Sequence, residues 1–200
     1  MLFRSPLHIN NTNITFTVTD GTEEKAGKLS LNSNSSSAIF GVYVKYGAFR
    51  LEGGTIEVRS GSAATHGVTV HYGTFTMNGG TIHVKTTNGQ DGRGIYANST
   101  TIINGGTFHV EAAGTACGVR RDGGTITINN GKFNISGSTA SYMNYKADAD
   151  SKIIIKGGYY TINTRLGTYV SNPYHIFDLS SGAEFDEGYR RSEEHTSELQ

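Results

Sequence analysis

An internal repeat of about 26 residues constrains the fold of this chain more than any other feature. The segments GVYVKYGAFRLEGGTIEV at 41–58 and GVTVHYGTFTMNGGTIHV at 67–84 align without gaps, and further copies run over 94–110, 118–135 and, more loosely, 151–162. One glycine marks each copy: Gly54, Gly80, Gly106, Gly131 and Gly158. A period of this length is typical of a solenoid in which each repeat forms one coil.

Within each repeat the apolar residues alternate, which is the signature of β-strands because successive side chains point to opposite faces. In the first copy Val42 and Val44 share one parity, and the same holds for the pairs Phe49/Leu51 and Ile56/Val58. The parity slips at Tyr46–Gly47 and again at Gly53–Gly54. Glycine suits turns because it accepts positive φ, so the pattern predicts three short strands per repeat, joined by tight corners.

A single repeat cannot bury its own apolar face, whereas stacked coils bury it because each strand pairs with its equivalent one coil away. The sequence therefore predicts an all-β parallel β-helix over residues 38–162, with irregular coils over 1–37 and 163–190. Like residues are expected to stack in columns, for example His83 with His109. A second predicted column is Thr55, Thr81, Thr107 and Thr125.

The variation in repeat length is concentrated at one corner, in the segments 60–66, 86–93, 111–117 and 136–141. In a solenoid such loops stack on one side of the rod and often form a binding surface. We therefore expect variable loops along one edge.

The last ten residues, RSEEHTSELQ, are polar, contain no glycine and show no alternation. The nucleotide string AGA TCG GAA GAG CAC ACG TCT GAA CTC CAG encodes them and reads as a common sequencing-library adapter. We interpret Arg191–Gln200 as a non-native tail, to be left out of fold reasoning. On this interpretation the native chain is expected to continue beyond Arg190.

Composition narrows the class of protein. The 17 basic residues balance the 17 acidic ones, so no electrostatic argument favours nucleic acid as a partner. Cys117 is the single cysteine, which excludes an internal disulfide, and we interpret it as a small filler residue. No apolar run approaches the roughly 20 residues that span a bilayer. The first residues, MLFRSPLHINN, lack the apolar region of a secretory signal, so either the protein is not exported or its true start is missing.

The segments FRLEGGTIEV, FTMNGGTIHV and TIINGGTFHV resemble the right-handed parallel β-helices of the pectate-lyase-like superfamily. Within that superfamily the repeats look most like the Gly-Gly-Thr-rich coils of bacterial surface adhesin-like and carbohydrate-binding β-helix proteins. The resemblance covers about residues 38–162. It implies a secreted or cell-surface fragment that binds a polysaccharide, or a glycan or protein on a host surface. The superfamily also includes polysaccharide lyases and glycoside hydrolases, so an enzyme whose catalytic part is missing remains an alternative.

Catalysis would require charged residues grouped on one face. The most distinct charged cluster in the sequence is Arg120, Arg121 and Asp122. No acidic residues occupy the equivalent positions of neighbouring repeats. We therefore interpret this cluster as a solvated surface group and assign no catalytic residue.

No cofactor or metal is assigned either. The segments 88–92 and 148–151 contain oxygen ligands that Ca²⁺ could use, but Asn and Asp also favour turns without any metal. The histidines at 66, 71, 83 and 109 are expected on different faces, and His83 and His109 lack a third ligand.

A binding strip along the rod axis is the favoured site. Tyr43 and Tyr96 share an outward parity on the first strand of their repeats, and His71, Asn98 and Arg120 fall near the same column. Aromatic rings beside hydrogen-bonding groups suit a polysaccharide. Two alternatives stay open: adhesion to a protein through the variable corner, and a passive stalk that displays another domain.

Overall fold

The computed structural model describes residues 5–21, 27–61, 63–144, 152–161 and 177–178. Within them the regular elements are β-strands, and no helix is long and apolar enough to cross a membrane. In chain order they are β1 (Leu7–Val18), β2 (Lys28–Ser33), β3 (Ile39–Leu51), β4 (Thr55–Ser60), β5 (Thr65–Val70), β6 (Thr74–Met77), β7 (Thr81–Thr86), β8 (Gly92–Ala97), β9 (Thr101–Ile103), β10 (Thr107–Ala112), β11 (Thr115–Arg121), β12 (Thr125–Ile128), β13 (Lys132–Gly137), β14 (Ala140–Asn144), β15 (Lys152–Ile155), β16 (Tyr159–Tyr160) and β17 (Phe177–Asp178).

The strands form three parallel rows that run along the rod. The first row joins the first half of β3 to β5, β8, β11 and β14. The second row joins the last part of β3 to β6, β9, β12 and β15. The third row is β2, β4, β7, β10, β13, β16 and β17. The chain is thus a parallel β-helix with three strands per coil, as the alternation predicted.

The core lies inside the rod, between the three rows. All six residues whose parity predicted an inward side chain in the first copy are at most 1% exposed: Val42, Val44, Phe49, Leu51, Ile56 and Val58. Aromatic rings in equivalent positions of the third row stack almost in parallel. The ring centroids are 4.6 Å apart for Phe108 and Phe133 and 4.9 Å apart for Phe133 and Tyr160. Stacking of coils therefore buries the faces that a single repeat would expose.

The corners depend on glycine as predicted. All five marker glycines have positive φ, between 78° and 146°. The first copy differs at Tyr46–Gly47, where the predicted turn does not end a strand: β3 continues to Leu51. Gly47 has φ of 76°, so the backbone changes direction at that point without leaving the ladder.

A ladder of amide side chains stabilises the corner between the second and third rows. Asn129 donates to Asn104 Oδ1 at 2.6 Å, and Asn104 donates to Asn78 Oδ1 at 2.7 Å. Asn78 in turn donates to both carboxylate oxygens of Glu52. Each amide donates a hydrogen bond to the side chain one coil earlier, so the ladder fixes the register of successive coils.

One predicted column is confirmed and the other is partly wrong. His83 pairs with His109, and Thr55, Thr81 and Thr107 stack in β4, β7 and β10. Thr125 does not continue this column, because it begins β12 in the second row, and Lys132 pairs with Thr107 instead.

At the ends, β1 and β2 form one coil that pairs with β3 and β4, with register shifts between Ile9 and Thr15. Of the predicted irregular segment 163–190, only β17 is described, and it pairs with β16. The tail, 191–200, lies outside the described residues.

Candidate functional site

Strand pairing in the first row aligns outward side chains in three columns, which together we call the outer face of the first row. The first column is Phe40, His66, Arg93 and Cys117. The second is Tyr43, Thr69, Tyr96 and Arg120. The third is Lys45 within β3, followed by His71, Asn98 and Asp122, which come directly after β5, β8 and β11.

This face carries all five residues that the sequence predicted as a binding strip. Tyr43, Tyr96 and Arg120 occupy the second column, with Thr69 between the two tyrosines. In the third column the Asn98 amide donates to His71 Nδ1 at 3.0 Å. The residues therefore lie along the rod axis over four coils.

Tyr96 is held at the centre of the face by contacts from both neighbouring coils. Its hydroxyl donates to Asp122 Oδ2 at 2.5 Å, and Arg120 Nε donates to Asp122 Oδ1 at 3.2 Å. The Arg120 guanidinium, from the following coil, lies 5.5 Å from the Tyr96 ring centroid. The His66 ring, from the preceding coil, stacks on Tyr96 at 5.2 Å and 19°. Because both ring faces are covered, Tyr96 contributes its ring edge and its hydrogen-bonded hydroxyl to the outer face.

His66 links the first and second columns from a buried position. It is 6% exposed, and its Nε2 accepts a hydrogen bond from Arg93 Nη1 at 2.7 Å. Nε2 therefore carries no proton, and Nδ1–H donates to Thr69 Oγ1 at 3.0 Å. Burial, together with the positive charges of Arg93 and Arg120, holds the pKa of His66 well below its usual range. His66 is thus a neutral residue that orients Arg93.

An open depression of about 440 Å³ lies at the end of this face, next to the variable corner. Arg93 and Arg120 line it together with Asp91, Thr115 and Cys117. The Asp91 carboxylate accepts from the Thr115 backbone N–H at 2.9 Å and lies 3.5 Å from Arg93 Nη2. Burial and the proximity of Arg120 lower the pKa of Arg93. The guanidiniums of Arg93 and Arg120 and the hydroxyls of Thr115 and Thr139 can together bind a polar group here.

The predicted surface cluster Arg120–Arg121–Asp122 does not hold together as one group. Arg120 and Asp122 form an ion pair on the outer face. Arg121 pairs with Ala97 on the inward side of the row and is 2% exposed, so the prediction that it is solvated was wrong. Its Nε donates to the Gly124 carbonyl at 2.7 Å, which anchors the next corner.

The predicted histidine ladder belongs to a network of charged residues on the third row. His83 Nδ1 lies 3.4 Å from Glu57, and His83 Nε2 lies 3.3 Å from Glu111. Hydrogen bonds from Arg59 and Lys28 lower the pKa of Glu57 to about 2. These contacts form a network of paired charged side chains around the buried Glu57.

Of the two segments that contain oxygen ligands suited to Ca²⁺, the structure describes the first. In 88–92, Asn88 and Gly89 take φ of 54° and 74°, and the Asn88 amide donates to the Gly61 carbonyl at 2.8 Å, as in an ordinary turn. The segment 148–151 lies outside the described residues. Among the residues that the structure describes, no group of three or more His, Cys, Asp or Glu side chains is placed to hold a metal ion.

Sequence reasoning missed His66 and Arg93 as parts of the face. The signal was present in the repeat alignment, because the residue before each repeat's first glycine is Phe40, His66, Arg93 and then Cys117. These four residues are neighbours one coil apart. Reading that column down the repeats would have placed Arg93 beside the predicted strip.

No model of a known protein family matches the chain, and no curated protein or solved structure is detectably similar to it.

Proposed function

We propose that this β-helix is a non-catalytic, extracellular binding fragment that holds a polysaccharide, or a glycan or protein of a host surface, along the outer face of the first row. The observation that supports this most is the arrangement of Tyr43, His71, Tyr96, Asn98 and Arg120 on four successive coils of one face. Coils repeat at about 4.8 Å. Hydrogen-bonding side chains therefore recur along the rod at this spacing, which suits an extended ligand.

The polar edges of this face are the proposed contacts. Tyr96, Asp122 and Arg120 share hydrogen bonds, so each is held in one geometry before a ligand arrives. The side chains of Arg120 and Asp122 remain 28% and 29% exposed, which leaves them accessible to ligand hydroxyls. The depression beside Arg93 can hold one substituent of the polysaccharide. The resemblance of the repeats to carbohydrate-binding and adhesin-like β-helices supports the same ligand class.

Electrophoresis through gels that contain a panel of neutral and acidic polysaccharides tests this proposal. We expect at least one polysaccharide to retard the wild-type chain, and Tyr43→Ala with Tyr96→Ala to abolish that retardation. Arg120→Gln should weaken it several-fold. Arg50→Gln is the matched control, because Arg50 Nε pairs with Glu52 two residues later at 3.1 Å, just as Arg120 pairs with Asp122, but on the second row.

Two results would contradict the proposal. If no polysaccharide retards the chain, or if Arg50→Gln weakens retardation as much as Arg120→Gln, the outer face of the first row is not a glycan site and a stalk becomes the better account. If the chain cleaves a polysaccharide and Arg120→Ala or Asp122→Ala abolishes cleavage, the non-catalytic interpretation is wrong.

A further inference from the structure

A second cleft, separate from the depression at Arg93, opens at the corner between the first and second rows near the first coil. Its volume is about 410 Å³, near the lower end of the ~300–1,000 Å³ typical of small-molecule sites. One wall is residues 12–15 of β1, and the other is residues 46–48 and 72–74. The cleft is thus large enough for a ligand of about one or two sugar rings.

Two tyrosines from successive coils form an aromatic platform in this cleft. The rings of Tyr46 and Tyr72 are 5.5 Å apart and inclined by 18°, and the His71 ring lies 4.1 Å from Tyr72. Tyr72 is nevertheless 63% exposed. Tyr96, in contrast, has one ring face against His66 and the other against Arg120. Tyr46 stacks on one face of Tyr72, and the high exposure of Tyr72 shows that the rest of its ring surface is open to a ligand.

The polar groups of the cleft are uncharged. None of the described residues that line it is charged, and the hydrogen-bonding side chains beside the tyrosines are Thr12, Asn13, Thr15 and Thr74. Lys45 lies next to the cleft, with its Nζ 5.2 Å from the Tyr46 ring centroid. Threonine hydroxyls and an amide both donate and accept hydrogen bonds, which matches the hydroxyls of a sugar, and none of these lining groups carries a charge that would pair with an anion.

We propose that this cleft is a binding site for a neutral pyranose, whose C–H face stacks on Tyr72 while its hydroxyls bond to the threonine and asparagine side chains. Stacking against a ring surface provides apolar contact, and the polar groups at the rim fix orientation. The inference does not rest on the polysaccharide strip, because none of the five strip residues lines the cleft and the two sites bind ligands of different size.

Saturation-transfer difference NMR with methyl glycosides of glucose, galactose and mannose tests the inference on the full chain. We expect weak binding of at least one of them, with the strongest transfer to protons on one ring face. Tyr72→Ala should weaken that binding at least tenfold, whereas Tyr72→Phe should retain it. Because Tyr72 is exposed, both variants should fold, which their thermal unfolding midpoints check.

Further variants and probes separate this site from the strip and from other ligand classes. Tyr96→Ala should retain methyl glycoside binding even if it abolishes polysaccharide retention, since Tyr96 does not line the cleft. Glucuronate and adenosine serve as charged and aromatic probes. The inference is overturned if no neutral glycoside binds, if Tyr72→Ala binds as tightly as wild type, or if either of these probes binds in preference to the neutral glycosides.

Discussion

At the scale of single residues, His66 determines much of the geometry of the outer face of the first row. It accepts a hydrogen bond from Arg93, donates to Thr69 and stacks on Tyr96. Phe40 covers it from the preceding coil, with the ring centroids 5.2 Å apart. The hydrogen bond from Arg93 requires the neutral imidazole, because a proton on Nε2 would oppose the Arg93 donor.

Acid should therefore destabilise the protein through His66. Its ordinary pKa is 6.5, and folding lowers it. Below about pH 6.5 the unfolded chain binds a proton that the folded chain does not, so this contribution to stability is present above that pH and is lost as the pH falls. We expect the unfolding temperature to fall by several degrees between neutral pH and pH 5, and His66→Gln to remove a large part of that dependence.

Circular dichroism melts across this pH range measure the effect. His8→Gln is the control, because His8 is an exposed residue and its replacement should leave the pH dependence as in wild type. If His66→Gln and wild type lose the same stability on acidification, His66 is not held neutral and buried in the folded protein, contrary to the structure.

At the scale of elements, a column of glycines lets the first row approach the third. A Cβ at Gly41 would lie 2.5 Å from Val58 Cγ2, and one at Gly67 would lie 2.4 Å from Ile82 Cγ2. At Gly94 the closest atom would be the Gly118 carbonyl oxygen at 2.6 Å. These glycines are needed for space inside the rod, and their φ angles lie outside the left-handed region.

Adding one methyl group to this column should separate the two rows. We predict that Gly67→Ala lowers the free energy of unfolding by about 1–3 kcal/mol, as overpacking of a close-packed core does. Gly21→Ala is the control, since a Cβ there would meet nothing within 4 Å, and its effect should stay within about 0.5 kcal/mol. Urea titrations of both variants measure the difference, and equal midpoints would show that the rows do not meet as closely as described.

At the scale of the whole molecule, the architecture could be predicted from the sequence. The repeat length reflects the length of one coil, and the alternation of apolar residues reflects the two faces of a β-strand. The spacing of the marker glycines predicted the coils, and the alternation around Val42, Phe49 and Ile56 predicted the three rows. The similarity of two short segments gave one wrong prediction. Gly123–Gly124–Thr125 repeats the letters of Gly53–Gly54–Thr55, yet Thr125 begins a second-row strand.

The candidate site could be predicted only in part, because residue type alone does not say which side chains meet. The five strip residues share one face, but the covering of Tyr96 by His66 and Arg120 depends on three successive coils at once. Arg121 shows the same limit. Its charge favoured the surface, whereas its parity places it in the inward column after Val44, Val70 and Ala97.

Mapping where a polysaccharide touches the rod is the most direct test of binding along the outer face of the first row. The measurement is a titration of the assigned amide NMR spectrum with a polysaccharide that retards the chain in the gel. We expect the shifted resonances to cluster on the outer face of the first row, in residues 40–45, 66–71, 93–98 and 117–122. Shifts concentrated on β4, β7 and β10 of the third row, or spread evenly over all three rows, would contradict it.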